Sequence, residues 1–148
     1  GCGITSLAMV ASYLTGETIT PDMLTNGYKG DNPASAMHAG IRNLGLNVTT
    51  YEGWGNACAD MNGDGTNNLD AALDAGKPVI ARVLQSSIFT DAGHFIVIAG
   101  KTDDGKYIVN DPNLENYYNQ SMVDGFTNGF TRDQITNGLA GIYIVETK

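Results

Sequence analysis

The sequence predicts an α+β domain in two layers, with helices in the N-terminal half and an antiparallel sheet in the C-terminal half. In the first half, apolar residues recur at helical spacing, as at Leu7, Val10 and Leu14. In the second half, short β-branched and apolar runs alternate with turn residues, which is typical of strands. The length of 148 residues fits one domain with a core of ordinary size.

Capping residues delimit three helices near the start of the chain. Thr20 and Asn32 each precede a proline, a pattern typical of an N-cap followed by proline at the first helical position. Glycines after the apolar residues mark the helix ends, because glycine adopts the left-handed conformation found there. The predicted helices cover residues 3–15, 21–26 and 33–44.

Strands dominate the rest of the chain. The turn sequence Asp103-Asp104-Gly105 predicts that the runs on either side of it form an antiparallel hairpin. Shorter helical patterns lie at residues 69–75, 121–126 and 132–137. The predicted strands cover residues 47–52, 78–84, 93–100, 106–110 and 141–146.

Composition excludes several classes of partner. The net charge of −8 and the absence of basic patches argue against nucleic acid and against anionic membranes. No apolar run approaches the roughly 20 residues needed to span a bilayer, so no membrane insertion is expected. Because the sequence begins one residue before Cys2, we expect residues 1–148 to form a single domain that lacks an N-terminal segment upstream of Gly1.

Cys2 stands immediately before the first predicted helix. The positive end of a helix stabilises an anion and lowers the pKa of a thiol from its usual value of about 8.5. The same pattern also fits a cysteine that merely packs at a helix start. Cys58, between Ala57 and Ala59, is expected to be a half-buried thiol, and two cysteines alone do not decide whether a disulfide forms.

His94 and Asp111 lie on the two arms of the predicted hairpin. Counting outward from the turn, His94 pairs with a position near residues 113–115, and Asp111 lies one or two pairs away. Each residue alone has an ordinary alternative, a core histidine or a turn aspartate. Together with Cys2, they supply a thiol nucleophile, a base and a group that orients the base.

Four sequence blocks occur in series around these residues. They are Cys-Gly-Ile-Thr-Ser-Leu-Ala-Met-Val from Cys2, Ala-Gly-Lys-Pro-Val-Ile from Ala75, Gly-His-Phe-Ile-Val-Ile-Ala-Gly from Gly93, and Val-Asn-Asp-Pro from Val109. In this order the blocks closely resemble the bacteriocin-processing peptidase-like family, which is family 39 of the cysteine peptidases with its secreted relatives. The resemblance covers most of the chain.

The resemblance implies a papain-like cysteine peptidase fold and a Cys-His-Asp triad, in which Cys2 is the nucleophile, His94 the base and Asp111 the orienting group. It implies a peptide or protein substrate, hydrolysis of a peptide or amide bond through an acyl-enzyme, and no cofactor. In that family a glutamine a few residues before the cysteine supplies an oxyanion-hole donor, and this sequence departs from the pattern because only Gly1 precedes Cys2. Few lysines and arginines, many asparagines and threonines, and the secreted relatives together favour an extracellular or cell-surface location.

Two other functions stay open at this point. One is a catalytically impaired papain-like domain that serves as a binding or interaction module. The other is an acyl transferase of the same fold, which would pass the acyl group to an amine instead of water. Alkylation of Cys2 and analysis of products formed with an added amine would distinguish these alternatives.

A metal site is not expected. Asp60, Asn62 and Asp64 match the front half of a calcium-binding loop, but the position that should hold a bidentate carboxylate is Ala71. We therefore expect a turn, in which Asn67 or Asn68 caps the helix that begins near Leu69. His38 has no second histidine near it in the sequence, so we do not expect it to bind a metal.

Overall fold

The structure, a computed structural model, describes residues 2–60, 68–90, 92–112 and 120–148. Helices and strands follow one another in the order predicted, with the helices concentrated in the first half. The helices are α1 (Cys2–Thr15), α2 (Pro21–Leu24), α3 (Pro33–Asn43), α4 (Asn56–Ala59), α5 (Asn68–Asp74), α6 (Gln120–Asn128) and α7 (Arg132–Thr136). The strands are β1 (Asn47–Glu52), β2 (Val79–Leu84), β3 (Gly93–Lys101), β4 (Tyr107–Asn110) and β5 (Leu139–Glu146).

The strands form one sheet in the order β1-β5-β2-β3-β4, and every pair is antiparallel. The predicted hairpin is confirmed: β3 and β4 are neighbours, and Gly105 in the turn between them has a φ of +83°. The strand order also places β1 at one edge, paired with β5. Sequence patterns predicted β1 as a strand but did not include it in the sheet.

The N-terminal helices lie where predicted, with α1 and α3 within one residue of the expected bounds and α2 ending at Leu24 instead of residue 26. Asn32 caps α3, because its side-chain oxygen accepts a hydrogen bond of 2.9 Å from the backbone N–H of Ser35. Gly16 and Gly45 follow α1 and α3 with φ values of +73° and +74°, a conformation that glycine adopts without strain. The apolar stripe of α3 is buried at Met37 and Ile41.

Helices cover both faces of the sheet, so the expectation of two layers is wrong. On one face, which we call the α1 face, helices α1 to α3 pack against Ile80, Phe95, Val97, Tyr143 and Val145. On the opposite face, helices α4 to α7 enclose a second core that includes Leu69, Met122 and Ile135. Residues 79–81 are 0% exposed because successive side chains of β2 point into both cores.

Two further segments bear on the predictions. Helix α4 was not predicted, because a four-residue helix has too short an apolar pattern to recognise. Residues 61–67 lie outside the described residues, so the expected turn at Asp60–Asn68 is not tested there. In the described part of the chain, none of the helices combines the length and apolarity needed to cross a bilayer.

Candidate active site

Helix α1 is held against strand β3 by its buried face and by two hydrogen bonds to one residue. Leu7 and Ala11 are 0% exposed and lie in the core of the α1 face. The hydroxyl of Ser6 donates to the carbonyl of Phe95 at 3.3 Å, and the N–H of Phe95 donates to the sulfur of Cys2 at 3.4 Å. Because Cys2 and Ser6 are four residues apart, they share a helix face, and both contact the same residue of β3.

Gly3 lets the start of α1 approach its surroundings closely. A Cβ atom at this position would lie 2.1 Å from the hydroxyl oxygen of Tyr28 and 3.1 Å from the ring of Phe95. The ring of Tyr28 also lies over Gly40 of α3, where a Cβ would come within 2.8 Å of it. Tyr28 therefore fills the space between α1 and α3, next to the residue that follows Cys2.

His94 and Asp111 meet at the open end of the hairpin. Nε2 of His94 donates to Oδ1 of Asp111 at 2.7 Å, and both side chains are buried. The register explains the contact: Val97 pairs with Asn110, so continuing the pairing brings Asp111 opposite Ile96, two residues from His94. Diagonal neighbours in an antiparallel pair are within reach of long or aromatic side chains.

The Cys2 thiol hydrogen-bonds to the His94 side chain. Since Nε2 is engaged with Asp111, Nδ1 is the ring nitrogen left for this bond. Partial burial by itself raises the pKa of Cys2, but the hydrogen bond and charge of His94 and the N–H of Phe95 outweigh it. The pKa of Cys2 is therefore lowered from 9.0. The start of α1 acts in the same direction, as expected for a helix N-terminus.

His94 is shifted in the complementary direction. Burial by itself lowers its pKa, whereas the hydrogen bond to Asp111, the hydrogen bond to Cys2 and the charges of both partners raise it. The result is a pKa of about 9 instead of 6.5. A thiol that loses its proton easily beside an imidazole that keeps its proton favours a thiolate–imidazolium pair.

The structure thus brings Cys2, His94 and Asp111, the three residues that the sequence singled out, into one hydrogen-bonded chain. It also shows contributions that sequence reasoning missed, from Ser6 and from the backbone of Phe95. The spacing of Cys2 and Ser6 on one helix face was a usable signal. The Phe95 contact had no sequence signal, because a backbone N–H is present whatever the side chain is.

Cys58 is fully buried in the core of the opposite face and is a free thiol, as is Cys2. The expectation of a half-buried Cys58 understates its burial. Across the described ranges, no group of three or more His, Cys, Asp or Glu residues is placed to hold a metal ion. His38 instead hydrogen-bonds through Nε2 to the hydroxyl of Thr50 at 3.0 Å.

The chain is similar to known proteins both in sequence family and in fold. The family model described as "Peptidase_C39 like family" matches residues 1–133. Among solved structures, the chain is similar to the peptidase domain of Streptococcus ComA, a bifunctional ABC transporter involved in a quorum sensing pathway. The TM-score is 0.65 at 17% identity, with 99% of this chain and 91% of that chain covered. Comparison with curated proteins gives no match.

Proposed function

Because the chain belongs to the Peptidase_C39-like family, we propose that it is a cysteine peptidase with Cys2 as nucleophile, His94 as base and Asp111 as orienting residue. The observation that carries the proposal is the hydrogen-bonded chain from Cys2 through His94 to Asp111, with the pKa of the thiol lowered and that of the imidazole raised. The papain-like fold supports it. The substrate class that follows is a peptide or protein.

The reaction follows from the positions of the protons. The Cys2 thiolate attacks the carbonyl carbon of the scissile bond, and the carbonyl π electrons move to the oxygen. When this intermediate collapses, the C–N bond breaks and His94 gives its proton to the leaving amine. His94, now neutral, takes a proton from water as the water attacks the thioester, and collapse of the second intermediate releases the acid and the thiolate.

Asp111 and the start of α1 serve two further roles in this scheme. By accepting a hydrogen bond at Nε2, Asp111 fixes the ring so that Nδ1 faces the sulfur, and its charge stabilises the imidazolium. The backbone N–H groups in the first turn of a helix have no intrahelical partners. Those at the start of α1 can therefore donate to the oxyanion that forms beside Cys2.

The test is cleavage of a mixture of unstructured peptides, followed by mass spectrometry. We expect new termini with the unaltered protein and none with Cys2→Ala, because loss of the nucleophile removes the acyl-enzyme route. Cys58→Ala is the matched control and should keep the activity. Absence of cleavage by both the unaltered protein and the control would contradict the proposal, and transfer to an added amine without hydrolysis would make the protein an acyl transferase.

We also propose that residues 1–148 act as one domain and that the protein works outside the cell or at its surface. One sheet contributes to both cores, which supports cooperative unfolding. Few charged residues and many asparagines and threonines support the location. Two separate melting transitions would contradict the first statement, and recovery of the protein solely from the cytoplasmic fraction would contradict the second.

A further inference from the structure

A row of four residues crosses the α1 face of the sheet and ends at the proposed active site. Arg82 of β2 pairs with Phe95 of β3 on one side and with Gly141 of β5 on the other, and Gly141 pairs with Glu52 of β1. Paired residues on neighbouring strands share a face. The ring of Phe95 belongs to the core of the α1 face, so Arg82 lies on this face as well. The N–H of Phe95 donates to the sulfur of Cys2, so Arg82 is one strand away from a residue that contacts the proposed nucleophile.

Arg82 is an unusual residue for its position. It lies in the middle of a central strand whose neighbours Ala81 and Val83 are 0% exposed. Its Nε atom is buried without a hydrogen-bond partner, and within the described residues its guanidinium makes no ion pair. A partly buried cation without an ion-pair partner is unfavourable, and a bound carboxylate would remove that cost.

Tyr143 adds a second polar group beside this cation. It is 0% exposed. Burial raises the pKa of Tyr143, whereas the charge of Arg82 and a hydrogen bond with the Arg82 side chain oppose that rise, so the hydroxyl and the guanidinium are in contact. Gly141, which lies between Arg82 and Glu52 in the row, places no side chain between them.

We propose that Arg82, positioned by the hydroxyl of Tyr143, forms a subsite that binds a carboxylate of the substrate close to the scissile bond. The guanidinium can donate two parallel hydrogen bonds to a carboxylate, while the fully buried tyrosine hydroxyl holds the guanidinium in place. The proposal rests on the function proposed above, since it places a peptide at Cys2. The carboxylate comes either from an Asp or Glu side chain of the substrate or from its C-terminus.

Because the rest of the protein is acidic, a preference for an acidic substrate would have to come from this subsite. With a net charge of −8, the surface as a whole repels acidic peptides. Glu52 is the carboxylate nearest in the row, and its charge raises the pKa of Tyr143. It is exposed and forms no ion pair with Arg82, so it weakens binding of a substrate carboxylate without occupying the subsite.

The experiment measures the alkylation rate of Cys2 with three small probes on the whole chain. N-iodoacetyl-glutamate α-amide carries a side-chain carboxylate, N-iodoacetyl-glutamine carries a terminal carboxylate, and N-iodoacetyl-glutamine α-amide is the neutral reference. We expect one acidic probe to react about tenfold faster than the reference, because a hydrogen bond to a charged group is stronger than one between neutral groups. Which acidic probe is faster identifies the source of the carboxylate.

Variants of the protein show which residues cause the preference for an acidic probe. Arg82→Gln should reduce the acidic-to-neutral ratio to about one, and Tyr143→Phe should reduce it about two- to threefold while keeping the core volume. Glu52→Gln should raise the ratio. Arg42→Gln, which changes the net charge by the same amount at an exposed position of α3, should leave the ratio unaltered.

Two results would overturn the subsite: equal rates for all three probes with the unaltered protein, or a preference that survives Arg82→Gln. Either result leaves the peptidase proposal intact. Conversely, the alkylation rate of Cys2 can be measured whether or not any peptide is cleaved. Failure of the peptidase proposal would therefore be seen in the cleavage experiment and not in this ratio. If Arg82→Gln melts at a much lower temperature, its ratio is not informative, and the proposal is then tested by the acidic-to-neutral ratio of Tyr143→Phe.

Discussion

The two cysteines of this chain lie in helices on opposite faces of one sheet, and their thiols have opposite properties. Cys2 is the first residue of the 14-residue helix α1, and its pKa is lowered from 9.0. Cys58 lies in the four-residue helix α4 and is fully buried. Burial raises the pKa of Cys58 to about 12, although a backbone hydrogen bond and the charges of Arg132 and Arg82 act in the other direction.

The difference lies in what the sheet brings to each thiol. His94 and the N–H of Phe95, both on β3, contact the sulfur of Cys2. The thiol of Cys58 instead donates to the carbonyl of Gly55 at 3.6 Å, a contact that favours the protonated form. A helix that begins near a cysteine is therefore not sufficient for a reactive thiol. The strand against which the helix packs decides the outcome.

The largest expected effect is the difference in alkylation rate between the two thiols. At neutral pH, pKa values of about 12 for Cys58 and below 9.0 for Cys2 imply that Cys2 has more than about a thousandfold more thiolate. Iodoacetamide treatment at pH 6–7, followed by peptide mapping, measures both rates in one sample. Similar rates would contradict the assigned environments, and denatured protein, in which the two thiols should react alike, is the control.

The next effect tests the part of Asp111. Asp111→Ala removes the hydrogen bond at Nε2 of His94, and we expect the rate of peptide cleavage to fall by about 10²–10⁴-fold, the range typical of an acid–base residue. Asp133→Ala, at an exposed position of α7, is the matched control and should keep full activity. An unaltered rate in Asp111→Ala, at an unaltered melting temperature, would reject the orienting role.

The pH dependence gives a third, smaller effect. The thiolate–imidazolium pair requires a deprotonated Cys2, whose pKa is lowered, and a protonated His94, whose pKa is raised to about 9. Cleavage should therefore decline on the alkaline side near pH 9, where His94 loses its proton. In Asp111→Asn the carboxylate that raises the pKa of His94 is absent, so this decline should move from about 9 toward 6.5. The same alkaline limb in both proteins would show that another group controls it.

Local patterns in the sequence predicted most elements and the approach of Asp111 to His94. Capping residues, apolar spacing and one turn gave α1 to α3 and the β3–β4 hairpin, and the hairpin register brought Asp111 close to His94. These features depend on residues close together in the sequence, where spacing and turn chemistry are sufficient. The catalytic roles of the three residues remain predictions.

Features that join distant parts of the chain were harder to predict from the sequence. The pairing of β1 with β5 joins residues almost a hundred positions apart, and nothing in either strand specifies its partner. Two-sided burial of the sheet was missed although the largely apolar sequence of β2, interrupted by Arg82, is its usual sign. The bond from the Phe95 N–H to Cys2 depends on the backbone alone, so no residue pattern marks it.

The smallest effect tests whether docking of α1 on β3, more than the helix itself, makes Cys2 reactive. Ser6→Ala removes the buried bond to Phe95, and Ser12→Ala removes the two bonds that Ser12 makes with the backbone of Ile19, on the same helix but away from Cys2. Each substitution should lower the free energy of unfolding by about 1 kcal/mol. Ser6→Ala should also slow alkylation of Cys2 a few fold, because the sulfur shifts relative to His94 and the Phe95 N–H, whereas Ser12→Ala should not. Equal alkylation rates in the two variants would show that the buried face of α1 positions the thiol without help from Ser6.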